Sequence, residues 1–211
     1  DFLLAAKRCE IDGLQRLALT GTLVDVTGRL VHGLQRERGL SNLYLGSQGR
    51  RFAPERLAQI ESSRQVETEW RGHIGLLESD AAQAGHGARL FSRIAYVLQG
   101  LDGLAALRER VGLRDWDTSR STEAYVRLIA ALLAVVFEAA DSATDPEVSR
   151  RLVALFNFMQ GKEFAGQERA VGSALFARGQ ADAAEQQRLL HLIESQERCL
   201  ELFRLERPQL E

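Results

Sequence analysis

Only three prolines interrupt the 211 residues, at positions 54, 146 and 208, and the stretches between them repeat apolar residues at helical spacing. No stretch shows the run of alternating β-branched residues that is typical of strands. Because proline is tolerated in the first turn of a helix but not in its interior, these positions indicate two helix starts and one helix end. The pattern predicts an all-α protein.

About six long helices are expected, roughly over residues 11–45, 54–83, 88–111, 122–140, 146–177 and 181–206. Asp145, Pro146 and Glu147 form a strong N-terminal signal, with a capping residue, a first-turn proline and an acid at the positive end of the helix dipole. Long helices joined by short turns bury their apolar stripes best by packing lengthwise. We therefore expect an elongated antiparallel helical bundle that forms a single domain over residues 1–211.

Charge and hydropathy exclude several classes of function. The 27 basic residues include two lysines, which leaves 25 arginines, and the formal net charge is −2. This balance argues against general nucleic-acid binding through bulk charge. The longest apolar run, residues 128–137, is too short to cross a bilayer, and the first residues lack a signal-peptide pattern. We expect a cytoplasmic protein without a membrane span.

The sequence lacks the motifs of the common enzyme classes. Its four histidines show no HExxH or Glu-x-x-His spacing, and no glycine-rich phosphate loop follows a strand. Cys9 and Cys199 lie near opposite ends of the chain and form no metal-binding motif. Free thiols are expected, while a disulfide between the first and last helices is also geometrically possible. No enzyme activity, metal or cofactor is expected.

Three arginines lie on the apolar stripes of three different predicted helices. The heptad series that carry them are Val24, Val31 and Arg38; Ile94, Leu101 and Arg108; and Val148, Leu155, Lys162, Arg169 and Phe176. A guanidinium on such a stripe needs a carboxylate or a bound anion, because an unmatched charge in a low dielectric is costly. The pattern predicts that Arg38, Arg108 and Arg169 point inward.

Two interpretations of these arginines remain open. In the first, they form internal ion pairs with Glu37, Glu163 or Glu168, and the protein is a structural or dimerisation module. In the second, they form a cage for a small oxyanion, since the forked donors of guanidinium match a planar anion. Adjacent helical residues point about 100° apart, so Glu37 and Glu168 cannot easily pair with the arginines beside them.

The sequence LVHGLQRERGLS at residues 30–41 and the sequence KEFAGQERA at residues 162–170 each carry a Glu-Arg pair inside a predicted helix. Between them lie residues 107–111 and 125–133. In this order, the segments resemble the signatures of the nitrate- and nitrite-sensing domain, the all-helical NIT domain of bacterial signalling proteins. The resemblance covers most of the chain, which makes it more specific than either motif alone.

The resemblance implies a sensor in which nitrate or nitrite lies among arginines contributed by separate helices. Arg38 matches the arginine of the first signature, Arg169 matches that of the second, and Arg108 is matched in the middle segment. Arg36 also lies in the first signature, about 160° around the helix from Arg38. The candidate ligand-binding residues are therefore Arg38, Arg169, Arg108 and Arg36, with no metal and no cofactor.

The resemblance also implies partners. Family members join the sensor to an output region, which is an RNA-binding antitermination module, a kinase, a cyclase or a chemoreceptor. This sequence ends near Pro208 without such a region, so RNA is expected as a partner only through a separate or removed output domain. We further expect a homodimer in which the bound anion draws arginine-bearing helices together and so signals its presence.

Overall fold

The computed structural model describes residues 2–84, 88–143, 145–179 and 182–206, which contain seven α-helices and no strand. In chain order the helices are α1 (Phe2–Gly46), α2 (Ala53–Ala84), α3 (Ala88–Asp102), α4 (Leu104–Leu113), α5 (Thr118–Asp141), α6 (Pro146–Arg178) and α7 (Ala183–Glu206). The all-α prediction is confirmed. Within the described ranges, no helix combines the length and the apolar character that a membrane span requires.

The helices fall into two compact units. Residues 1–143 contain α1 to α5, and residues 144–211 contain α6 and α7. Each unit has its own helix packing, and the expected single domain stays a prediction.

In the first unit, α1 packs against both α2 and α5, and α3 packs against α5. Trp70 of α2 is completely buried, and its indole Nε1 donates a hydrogen bond of 2.9 Å to Thr27 Oγ1 of α1. At Gly33 of α1, an added Cβ would lie 3.2 Å from Ser63 Oγ of α2. The glycine thus lets the two helices approach closely, which accounts for its place inside a helix.

Helix α1 is longer than predicted, and its two halves differ in burial. It begins at Phe2 instead of near residue 11, and its buried residues extend from Leu23 to Ser41. Leu14 and Leu17, which the periodicity places on the apolar stripe, are 67% and 41% exposed. For these two residues the burial expected from the stripe is wrong, because the buried part of α1 begins only at Leu23.

The third predicted helix is divided into α3 and α4 at Gly103, which raises the number of helices in the described part of the chain from six to seven. The Gly103 amide donates to the carbonyl of Gly100 at 3.2 Å, a three-residue turn instead of a full α-helical turn. Leu101 and Leu104, on either side of the break, are both buried. The division therefore leaves the apolar face of both helices directed into the core.

Helix α6, the first helix of the second unit, begins and ends as predicted from local signals, while the helix end expected at Pro208 lies outside the described residues. The Asp145 side chain accepts hydrogen bonds from the amides of Glu147 and Val148, with Pro146 in the first turn of α6. Gly179 follows α6 with φ of 67°, a left-handed conformation that suits glycine. At Gly161, an added Cβ would lie 3.3 Å from Cys199 Cβ, so α6 meets α7 closely along this face.

Candidate functional site

Helix α1 carries three buried polar residues within the first NIT-like signature. Glu37 and Ser41 are completely buried, and Arg38 is 4% exposed. They continue a face whose previous turns carry Leu30 and Leu34, both completely buried. The prediction that Arg38 points inward is confirmed, since its heptad neighbours are buried as well.

Glu37 is the centre of a hydrogen-bond network that joins three helices. Arg108 of α4 donates from Nε to Oε1 at 2.8 Å and from Nη2 to Oε2 at 3.0 Å. The Tyr125 hydroxyl of α5 donates to Oε1 at 2.7 Å. A buried carboxylate requires such partners, and the two-pronged contact with a guanidinium is the strongest pairing available to it.

The network stabilises the protonated forms of Arg108 and Tyr125. Burial lowers the pKa of Arg108, but hydrogen bonds to Glu37 and its negative charge outweigh this effect, and the net shift is upward. Burial and then the charge of Glu37 raise the pKa of Tyr125, so its hydroxyl stays protonated at neutral pH. Arg108 Nη1 also lies 3.8 Å from Glu67 Oε2 of α2. Arg108 points inward as predicted, and it does so as the partner of a carboxylate.

Arg56 is a buried arginine that the sequence reasoning missed. It is 4% exposed and lies in the first turn of α2. Its Nε donates to Ser41 Oγ at 3.3 Å, its Nη2 donates to the Arg108 carbonyl at 2.6 Å, and its guanidinium carbon lies 5.4 Å from the centre of the Tyr44 ring. It therefore contacts α1 and α4 as well as its own helix.

A signal for Arg56 was present in the sequence. The heptad series Arg56, Ser63, Trp70 and Leu77 of α2 is buried throughout. This is the same register argument that selected Arg38, and applied to α2 it would have selected Arg56.

The other two candidates lie in different surroundings. Arg36 is exposed on α1, as expected from its 160° separation from Arg38. Arg169 of α6 is exposed as well, so the expected inward orientation is wrong. Leu155 and Phe176 of the same heptad series are 38% and 91% exposed.

The physical reason lies in how α6 is rotated. Its face toward α7 includes Gly161, whose added Cβ would contact Cys199 and Leu200. Lys162, the member of the heptad series next to Gly161, is turned about 100° from that face. Hence the apolar periodicity was present, but α7 does not cover the series that contains Arg169.

The remaining chemistry of the described residues is limited. They contain no group of three or more His, Cys, Asp or Glu residues that could hold a metal ion. Cys9 and Cys199 are free thiols. The described part of the first unit instead contains three buried arginines, Arg38, Arg56 and Arg108. Arg108 pairs with the buried Glu37, whereas Arg56 has no carboxylate within ion-pair distance among the described residues. A guanidinium of this kind is suited to holding a small anion through its forked donors.

Comparisons with known proteins agree with this chemistry. The family described as "Nitrate and nitrite sensing" matches residues 29–209. The chain is 40% identical over 205 residues to the nitrate regulatory protein of Klebsiella oxytoca, covering 96% of this chain and 50% of that protein. It also resembles the solved structure of the NasR transcription antiterminator, with a TM-score of 0.88 and 39% identity, covering 99% of this chain and 56% of that one.

The chain thus spans about half of the length of the relatives it matches. The match to the nitrate- and nitrite-sensing family, in contrast, extends over residues 29–209, nearly the whole sequence. The chain belongs to the nitrate- and nitrite-sensing (NIT) family.

Proposed function

We propose that this chain binds nitrate or nitrite and passes the signal to a regulatory output. The observation that carries the proposal is the family match over residues 29–209. The buried Arg56 of the first unit supports it, because no carboxylate among the described residues lies within ion-pair distance of this guanidinium and a bound monovalent anion would compensate its charge.

The four candidate arginines are supported by different observations. Arg38 is the strongest candidate, since it is buried and lies in the first signature. Arg169 and Arg36 are exposed and are proposed from the motif resemblance. Arg108 donates both prongs to Glu37, so its contribution to anion binding is to fix the position of Glu37 and of the helices around it.

The proposed signal is a change in helix packing. An anion shifts the balance between two packings only by its difference in affinity for them. A change in the positions of the arginine-bearing helices would then reach an output region. By similarity to an antiterminator, that output is RNA binding by a segment outside these residues. The expected homodimer and cytoplasmic location belong to the same proposal.

A second candidate function is a structural or dimerisation module held together by internal ion pairs. The contact of Arg108 with Glu37 favours it, since that arginine is paired without any anion. The two candidate functions predict different results when the Arg108–Glu37 pair is replaced. Replacing the Arg108–Glu37 pair by apolar residues would leave the structural module as stable or more stable, whereas it would disturb the anion response of a sensor.

The proposal is tested by thermal unfolding in nitrate, nitrite and chloride at constant ionic strength. We expect nitrate or nitrite to raise the melting temperature, with about 2.7 kcal/mol of stabilisation at 100 times the dissociation constant. Chloride at the same concentration should have no comparable effect. Equal responses to all three salts, or no response to any, would contradict the proposed function.

A further inference from the structure

We propose that Arg56 is the centre of an anion-binding site in the first unit, outside both NIT-like signatures. The ligand class is a small, planar, monovalent oxyanion. The identity of the anion as nitrate or nitrite rests on the proposed function, while the existence of the site rests on the geometry around Arg56.

The first argument compares how carboxylates compensate the positive charges of Arg56 and Arg108. Both guanidinium groups are buried, at 4% and 7% exposure. Arg108 has a two-pronged contact with Glu37 and a further carboxylate, that of Glu67, at 3.8 Å. In the described part of the chain, Arg56 has no carboxylate within ion-pair distance, and its hydrogen-bond acceptors are a hydroxyl and a carbonyl. Its buried positive charge therefore lacks a counter-ion.

The second argument is an unused donor group. Nε of Arg56 donates to Ser41 and Nη2 donates to the Arg108 carbonyl. Over the described ranges, Nη1 has no hydrogen-bond partner. A guanidinium presents five N–H donors, and the donors on Nη1 are thus available to a ligand.

The third argument is space beside that donor. A Cβ added at Gly112 of α4 would lie 3.7 Å from Arg56 Nη1, and no other side chain of the described residues lies within 4 Å of that position. At Gly112, the unused donor is therefore not covered by a side chain of α4, and an alanine would bring a methyl group into contact with it. Because the Tyr44 hydroxyl donates to the Gly112 carbonyl at 3.1 Å, this part of α4 is also held in place against α1.

The fourth argument concerns the helix that carries Arg56. Arg56 lies in the first turn of α2, which has 32 residues. Helical side chains point back toward the N-terminus of their helix, so the guanidinium is directed toward the positive end of the helix dipole. The dipole and the unpaired guanidinium both favour an anion at this place.

The charge of Arg56 favours a monovalent ligand. In the described part of the chain, no carboxylate within ion-pair distance compensates this one buried positive charge. One monovalent anion brings it to zero. A divalent anion such as sulfate would leave a negative charge in the same buried volume, which is unfavourable.

The test uses two variants that act on the site in different ways. Gly112→Ala places a methyl group beside Nη1 and keeps the charge, and alanine is compatible with a helix at this position. Arg56→Gln removes the charge. Gly75→Ala is the matched control, since a Cβ there meets nothing within 4 Å. The affinities of the whole 211-residue chain for nitrate, nitrite and sulfate are measured by calorimetry at constant ionic strength.

We expect Gly112→Ala and Arg56→Gln each to weaken nitrate binding at least tenfold, Gly75→Ala to match the wild type, and sulfate to bind more weakly than nitrate. If the wild type binds nitrate and both variants bind it within twofold, the Arg56 site is refuted and the proposed function stands. If the wild type binds formate, a further planar monovalent oxyanion measured in the same way, but neither nitrate nor nitrite, and Arg56→Gln abolishes that binding, the proposed function is refuted and the site stands. Binding of sulfate alone, or absence of binding for all of these anions, refutes both. Should Arg56→Gln fail to fold, Gly112→Ala alone decides the outcome.

Discussion

The Glu-Arg pairs of the two NIT-like signatures, one in α1 and one in α6, lie in opposite surroundings. In α1, Glu37 is completely buried and Arg38 is 4% exposed. In α6, Glu168 is partly buried and Arg169 is exposed. Both arginines lie on apolar heptad series, so the presence of such a series does not by itself explain the difference.

The difference comes from the number of neighbouring helices. Within its unit, α1 packs against both α2 and α5, which cover its stripe from two sides, whereas α6 packs against α7. One partner helix covers a narrower part of a helix surface than two do. Helical periodicity therefore predicts that a stripe exists, and the neighbouring helices determine which part of it is buried.

The largest expected effect is on stability and concerns the two glutamates. Glu37→Gln removes the carboxylate that contacts Arg108 with both oxygens and leaves the buried guanidinium with only the more distant Glu67, which we expect to cost about 3 kcal/mol. Glu168→Gln, the matched change in α6, should alter the free energy of unfolding by less than about 0.5 kcal/mol. Denaturant unfolding measures both. Similar losses of unfolding free energy for the two variants would contradict the difference in burial between the two Glu-Arg pairs.

A smaller effect is expected for Tyr125. Tyr125→Phe removes one of three hydrogen bonds to Glu37 and should cost about 1.5 kcal/mol at neutral pH. Burial and the charge of Glu37 raise the pKa of Tyr125 in the folded protein. From about pH 10, the ordinary pKa of tyrosine, the unfolded chain releases this proton before the folded chain does, so stability falls as pH rises.

This pH dependence is measured by chemical unfolding of the wild type and of Tyr125→Phe between pH 8 and about 11, a window chosen around the ordinary tyrosine pKa. The loss of stability above about pH 10 should be less steep in the variant, because one tyrosine with a raised pKa has been removed. Parallel curves would mean that Tyr125 is not held in its protonated form by the network around Glu37.

The smallest expected effect should be the same in both motifs. Gly39, beside Arg38, and Gly172, near Arg169, are helical, and a Cβ added at either meets nothing within 4 Å. Gly39→Ala and Gly172→Ala should each stabilise the protein by about 0.5–1 kcal/mol through helix propensity. Melting temperatures of the two variants provide the check. A loss of stability at only one site would reveal a contact that the structure does not contain.

The parts of the fold that local chemistry determines were predictable. Helix α6 begins at Pro146 after the cap Asp145 and ends before the left-handed Gly179 as expected, because helix caps depend on neighbouring residues. The division at Gly103 was not predicted, since residues on both sides of it continue one helical periodicity. The start of the buried part of α1 at Leu23 was not predicted for a different reason. Burial depends on which other helices lie alongside α1.

The candidate site was predicted in part for the same reasons. Arg38 and Arg108 lie on stripes that other helices cover, and both are buried. The pairing of Arg108 with Glu37 was one of two open interpretations, and the choice required positions on different helices. Arg56 required the register argument to be extended to α2, whose buried series mixes polar and apolar residues. Arg169 required knowledge of how α6 is rotated against α7.

The most direct test of the account is nitrate binding by the wild type, Arg38→Ala, Arg38→Lys and Arg169→Ala, measured by calorimetry with melting temperatures as a check of folding. We predict that the folded Arg38 variants lose the nitrate response of the wild type, because the proposed function places the anion against the buried guanidinium of α1. Lysine should not restore the response, since its ammonium lacks the planar fork. A folded Arg38→Ala protein with the full nitrate affinity and melting-temperature increase of the wild type would contradict the account.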